Sequence, residues 1–140
     1  MIGKSVSRKE DDRLVRGHGK YLDDIVRPNM LHLGVVRSPH ASARIKSVSK
    51  TRAAAMPGVV AVLSAADTPE VRRPIPPYTL KPKFRRFDQP VLPSDRVRYV
   101  GEPVVVVVAD DPRRLADALG EVEILYEPLP AVSSIESAIV

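Results

Sequence analysis

The stretch "RVRYVGEPVVVVVADDPRRLADALGEVEILYEP", Arg96 to Pro128, decides the fold. At its centre Val104 to Val108 are five consecutive β-branched residues, which crowd a helix and suit a pleated strand. Running without a polar interruption to Asp110, they predict a strand buried on both faces. Asp111 and Pro112 have the chemistry of a helix N-cap and first helical residue. They predict a helix through about Glu121, with Leu115 and Leu119 on one side and an Arg113–Asp117 pair outside. "EVEILYEP" then closes as a last strand, so that Val104–Ala109, the helix and Val122–Tyr126 have the look of a βαβ unit.

Working outward, no other connection has that look. "NMLHLGVVRS" reads as a strand in which Leu31, Leu33 and Val35 alternate with His32, Gly34 and Val36. After Pro39, "ARIKSVSK" alternates again. "TRAAAM" is a short helix stopped by Pro57 and Gly58, and "VVAVLSAAD" is another strand, with Asp67 or Thr68 capping a brief turn before Pro69. The order is strand, strand, short helix, strand, long loop, strand, helix, strand. That order favours an α+β domain over a doubly wound parallel fold.

Between residues 69 and 93 seven prolines (69, 74, 76, 77, 82, 90 and 93) oppose regular structure. Arg72, Arg73, Lys81, Lys83, Arg85 and Arg86 make this loop basic, with Tyr78, Phe84 and Phe87 interleaved. Stacking and phosphate contacts could combine there, so a nucleic-acid-binding module using Arg72–Phe87 is the alternative reading. A solvated loop or protein-docking arm is the simpler one, and nucleic acid is not the expected partner.

With 140 residues the chain fits one domain. Its hydrophobic fraction of 44% and charged fraction of 28% are those of a soluble globular protein. Absence of cysteine rules out disulfides, zinc–thiolate sites and cysteine-ligated iron–sulfur clusters within the chain. The polar start "MIGKSVSRKEDDR" has no signal-peptide core, and the apolar run 103–109 is too short to span a bilayer. A cytoplasmic protein with no membrane association is expected. The net charge of +5 suits an acidic partner or simple solubility.

No catalytic, metal-binding or cofactor-binding residue emerges from motif spacing. His18, His32 and His40 show neither HxH nor HExxH spacing. Asp23 and Asp24 are adjacent and diverge on an extended segment, while capping accounts for Asp110 and Asp111. "GHG" at 17–19 does not complete GxGxxG because Leu22 holds the third glycine position, so a turn with positive φ at Gly17 or Gly19 is the local expectation. Ser38, Ser42 and Ser64 lack GxSxG context and a visible base.

Five segments, "RLVRGHGKYLDDI", "MLHLGVVRSPHASARI", "MPGVVAVLSAAD", "VLPSDRVRYVGEPVVVVVAD" and "ADALGEVEILYEPLPAV", stand in an order that resembles the start of molybdenum hydroxylase large subunits. These are the xanthine dehydrogenase, aldehyde oxidoreductase and aerobic carbon monoxide dehydrogenase enzymes. The resemblance implies their N-terminal α/β hammerhead domain: a single α+β domain with a mixed sheet, two or three helices and one long proline-rich loop. It places a flexible tail at 1–12, the domain at 13–133 and the start of a linker at 134–140. In the family a larger region that follows holds the molybdopterin-type cofactor and the catalytic glutamate. The chain is therefore expected to be a shortened piece or a naturally split subunit, binding no cofactor alone. The complete enzyme would carry molybdenum cofactor, 2Fe–2S clusters and FAD. Partners implied are the cofactor-binding region or subunit, the iron–sulfur subunit and the flavin subunit.

Residue by residue, Arg16, Gly17, Tyr21 and Asp24 match the family's opening. Arg37, Ser38, Pro39, His40, Ala41 and Arg44 match its Arg-Ser-Pro-His-Ala…Arg segment. Val100, Gly101, Glu102 and Pro103 match its Val-Gly-Glu/Gln-Pro turn. The resemblance implies packing and interface roles for them.

Overall fold

The computed structural model describes residues 3, 5, 6, 8–69, 75, 76 and 89–139. The chain forms two compact units, Met1–Met30 and Leu31–Val140.

The first unit holds helix α1 (Asp11–Val15) and a single 3-10 turn (Leu22–Asp24). None of its helical residues is buried, and Val15, Tyr21, Leu22 and Val26 stand open to solvent. Arg16, Gly17 and His18 close α1. The Gly17 amide donates to Leu14 O at 3.1 Å and the His18 amide to Arg13 O at 2.8 Å, the paired bonds of a Schellman end. Gly17 takes φ +72° to make them, whereas Gly19 does not enter the left-handed region.

The second unit contains β1 (His32–Arg37), β2 (Ala43–Ser49), α2 (Thr51–Ala54), β3 (Val59–Leu63), β4 (Arg96–Val97), β5 (Pro103–Ala109), α3 (Pro112–Gly120), β6 (Glu123–Pro128) and α4 (Ile135–Ile139). Its strands form two antiparallel three-stranded sheets, ordered β1-β5-β3 and β4-β2-β6. The α+β hammerhead arrangement is present, but as two antiparallel sheets and not one mixed sheet. β5 and β6 lie in different sheets, so the apparent βαβ unit is instead a helix that carries the chain from one sheet to the other. Short helix α4 was not expected from sequence. Ser134 starts it, its hydroxyl accepting from the Ser137 amide at 3.2 Å.

The valine run becomes the central strand of the first sheet, and Val104, Val105, Val107 and Ala109 are buried. Val106 and Val108 are only half-buried, so one face is covered and the other stays partly open, contrary to burial on both. Helix α3 does the covering. Asp111 Oδ1 accepts from the Arg113 amide at 2.8 Å and the Arg114 amide at 3.3 Å, and Leu115 and Ala118 turn inward. The ion pair near its start joins Arg114 to Asp110 at 2.9 Å, in place of the expected Arg113–Asp117 pair.

The same helix decides which face of β1 is inside. A β-carbon on Gly34 would lie 2.8 Å from Leu119 Cδ1 and 3.2 Å from Leu115 Cδ1. Gly34 is therefore where α3 approaches the sheet, and Val36 shares its packed face. Leu31 and Leu33 point away, Leu33 being 64% exposed. The alternation was visible in sequence, but its inward side is set by the helix and not by hydrophobicity.

Asp67 closes a polar knot between the start of α2 and the end of β3. Its Oδ2 accepts from the Ser64 amide at 2.7 Å, the Ser64 hydroxyl at 2.6 Å, and Lys50 Nζ. Thr68 Oγ1 adds a bond to Ser64 O at 3.2 Å. The Lys50 hydrogen bond, then those from Ser64, hold the Asp67 carboxyl well below the usual carboxylate range. The basic loop Arg72–Phe87 lies outside the described residues except for Ile75 and Pro76. Ile75 forms an antiparallel bridge with Gln89.

Gly34→Val is expected to lower unfolding stability by about 1–3 kcal/mol through overpacking against α3, measured by urea denaturation. The lowered Asp67 pKa means the unfolded chain takes up this proton more readily than the folded one. The stabilisation is thus complete above about pH 4 and is lost as pH falls further. Asp67→Asn should cost about 1–2 kcal/mol at neutral pH. It should also flatten the acid-side loss, read from urea unfolding at about pH 3 and pH 7.

Candidate docking site

Two of the matched sequence segments meet in space. The loop after β1 (Ser38, Pro39, His40) lies against the β4–β5 turn (Tyr99 to Glu102). Ser38 N donates to Glu102 O at 2.9 Å and Gly101 N to Ser38 O at 2.8 Å. Arg37 Nη1 donates to Gly101 O at 2.9 Å. These bonds extend the β1–β5 ladder past an irregularity between Val36 and Arg37, beyond which Arg37 faces Pro103. Gly101 sits at φ +88° with no heavy atom within 4 Å of a would-be β-carbon. Its requirement is therefore conformational and not spatial.

Glu102 is the unusual residue of this corner, with its side chain 1% exposed. Its Oε2 accepts from the Arg98 amide at 2.5 Å. Its Oε1 has no hydrogen-bond partner among the described residues and lies 3.9 Å from Arg98 Nη1. A buried carboxylate is tolerated only with such compensation.

Ser38 shapes the loop as both donor and acceptor. Its hydroxyl donates to His40 O at 3.0 Å and accepts from His40 N at 3.0 Å. The His40 ring meets Tyr126 edge-on, centroids 5.0 Å apart. Burial pushes the Tyr126 hydroxyl above the usual phenol range; nearby Ser38 offsets part of the rise and the Glu102 charge adds to it. The Tyr126 oxygen is sealed from water without a well-aligned hydrogen bond among the described residues.

The other matched residues are placed differently. Arg44 lies on β2 between Arg96 of β4 and Glu127 of β6, with its side chain exposed. In the first unit Arg16 pairs with Asp12 at 2.8 Å. The Tyr21 amide donates to Asp24 Oδ2 at 2.9 Å, and the Asp24 amide to Tyr21 O at 3.1 Å. Asp24 therefore closes a turn, and Asp23 stands exposed beside it.

Ser64, which sequence left without a base, does meet the Asp67 carboxylate. That carboxylate is already held by Lys50 and the Ser64 amide and kept well below its ordinary pKa, which makes it a poor proton acceptor. Among the described residues no three His, Asp or Glu converge on a common point. Sequence reasoning missed Arg96, Arg98 and Tyr126, because their partners are distant in the chain and no local spacing signals them.

Glu102→Ala should destabilise the chain by about 2–3 kcal/mol, leaving the Arg98 amide without its charged acceptor. Glu102→Gln, which keeps an acceptor oxygen, should cost less than half as much. Thermal and urea unfolding of both variants check this.

The family described as "Aldehyde oxidase and xanthine dehydrogenase, a/b hammerhead domain" matches residues 16–130. The chain is 39% identical to subunit gamma of the 6-hydroxypseudooxynicotine dehydrogenase complex of Paenarthrobacter nicotinovorans, covering 99% of this chain and 18% of that protein. Quinoline 2-oxidoreductase from Pseudomonas putida 86 superposes with a TM-score of 0.90 and 43% identity over 99% of this chain and 18% of that one. The Cu,Mo-CO dehydrogenase in its carbon monoxide reduced state gives a TM-score of 0.85 and 40% identity, over 97% of this chain and 16% of that one. The chain thus spans less than a fifth of the length of these relatives. It belongs to the aldehyde oxidase and xanthine dehydrogenase hammerhead-domain family.

Proposed function

We propose that the chain acts as a scaffold and docking domain of a molybdenum hydroxylase large subunit and holds no catalytic residue itself. One observation carries this reading. The Arg37–His40 and Tyr99–Glu102 segments, which hold most of the polar motif residues, are bonded to each other and to backbone. Outward lie Leu33 and Val60 on the first sheet, Val100 on the turn, and Arg44 and Arg96 on the second sheet, with acids such as Asp95 and Glu127 among them. A surface of aliphatic patches with arginines suits a protein interface.

In this reading the domain runs over 13–133, and Arg16, Gly17, Tyr21 and Asp24 shape its opening segment. Arg37, Ser38, Pro39, His40, Gly101, Glu102 and Pro103 keep the β1–β2 loop and the β4–β5 turn in one rigid corner. Arg44 contributes to the contact surface.

The donor set of this chain does not fit the cofactors of such enzymes. It has no cysteine for a 2Fe–2S cluster, and its described carboxylates and imidazoles do not converge. Molybdenum cofactor, iron–sulfur clusters and FAD are accordingly assigned to other regions or subunits. The complete enzyme, cytoplasmic in this proposal, would add a water-derived oxygen to a C–H bond or oxidise carbon monoxide. Among the described residues no helix is long and apolar enough to cross a membrane. Neither the geometry nor the relatives favour nucleic acid as the ligand.

Affinity purification of the tagged chain from its source cells, followed by elemental analysis, tests the proposal. Molybdenum and iron should co-elute in constant ratio to the chain. Elution without molybdenum refutes the docking role.

A further inference from the structure

Beside β4 lies a pocket of about 350 Å³ lined in part by Ser42, Arg96, Arg98, Tyr99, Val100 and Val132. Its charge is unusual. Arg96 stands directly opposite Arg44 across the β4–β2 ladder, and like charges in that position repel. Glu127, on the other side of Arg44, is held by Lys46 at 2.8 Å. The Arg96 guanidinium donates to a neutral acceptor, Ser42 Oγ, at 3.0 Å. Among the described residues no carboxylate lies within 4.0 Å of Arg96 or Arg44. The Arg98 guanidinium lies 3.9 Å from both Asp95 and Glu102, beyond hydrogen-bond reach, and donates to Arg96 O at 2.9 Å.

The two guanidinium groups are also held in place. Arg98 is fixed at its amide by buried Glu102 and at its side chain by the Arg96 carbonyl. Arg96 is fixed by Ser42. Donors pinned in this way lose little freedom on binding, and a guanidinium fork matches a carboxylate. Around them the rim is apolar, Val100 being 64% and Val132 68% exposed. A small inorganic anion has no use for that rim, whereas a peptide carrying an acidic side chain next to an aliphatic one fills both parts.

We infer that this pocket is a carboxylate socket, receiving an acidic side chain flanked by an aliphatic one from the protein partner on which the domain docks. The inference rests on the docking role proposed above and adds where the contact is made and with what chemistry.

The test titrates the full chain, followed by amide NMR, with three probes: a blocked hexapeptide of alternating Glu and Leu, the same with Lys for Glu, and inorganic pyrophosphate. The glutamate peptide should shift resonances of Arg96 to Val100 and Val132, and the lysine peptide should not. Arg96→Gln should weaken the glutamate peptide about tenfold, the loss of one charge-assisted hydrogen bond. Val132→Asp, at an exposed position outside both sheets, should weaken it while leaving the unfolding midpoint unchanged. Equal binding of both peptides, no binding, or indifference to both variants overturns the socket. Pyrophosphate binding tighter than the glutamate peptide and displacing it makes this a small-anion site and overturns it as well. Repeating the affinity purification with Arg96→Gln and Val132→Asp separates the two ideas. If the variants recover molybdenum as well as the parent chain, the socket is wrong and the docking role stands. If the parent recovers none, the docking role fails, and the peptide titration still decides the socket.

Discussion

The carboxylate of Glu102 is closed off from water at the corner where β4 turns into β5, and much of the second unit depends on that placement. Taking an ionisable side chain out of water is costly, so the corner must supply compensation. The Arg98 amide and the nearby Arg98 guanidinium provide it. To bring that amide to the carboxylate the chain reverses through Gly101 at positive φ. The same reversal presents Gly101 and Glu102 to Ser38. β4 belongs to one sheet and β5 to the other, so this single corner couples the two sheets and sets how β1 continues past its irregularity toward the loop at His40.

Function follows from what the corner consumes. Side chains that look chemically able in the sequence, such as Ser38, His40 and Glu102, are engaged in holding backbone or packing against Tyr126. Ser64 and Asp67 are engaged with Lys50 in a second structural knot. Exposed aliphatic side chains such as Leu33 and Val100 and arginines such as Arg44 and Arg96 are left over, alongside surface acids such as Asp95 and Glu123. That division suits the proposed task of standing rigidly against other polypeptides.

Local chemistry made several elements readable from sequence. Five adjacent valines have one good backbone solution, and Asp111-Pro112 has the geometry of a helix start, so β5 and α3 were legible to within a residue or two. Family resemblance, carried by the order of five short segments, supplied the fold class. The sheet arrangement was not legible. A strand, a helix and a strand in succession resemble a parallel crossover whether or not the second strand joins the first one's sheet. Here β6 pairs with β2, which lies far earlier in the chain. The corner of Arg37–His40 and Tyr99–Glu102 was half legible: its residues could be marked by motif, while their mutual bonding depends on contacts such as Arg37 to Gly101, 64 positions apart.

By itself, the sequence determined where the longer strands and helix α3 form and which turns favour glycine, because those depend on neighbours a few residues away; α1, β4 and α4 were not legible in it. Only the tertiary structure decided which side of β1 faces inward. Leu33 is the more hydrophobic candidate, yet it lies outside because α3 can approach the sheet only over a residue without a side chain, and that residue is Gly34. Tertiary structure also decided that Arg96 stands opposite Arg44 with no carboxylate between them among the described residues. Electrostatic pairing at that position is set by strand register across the ladder, which no local pattern encodes.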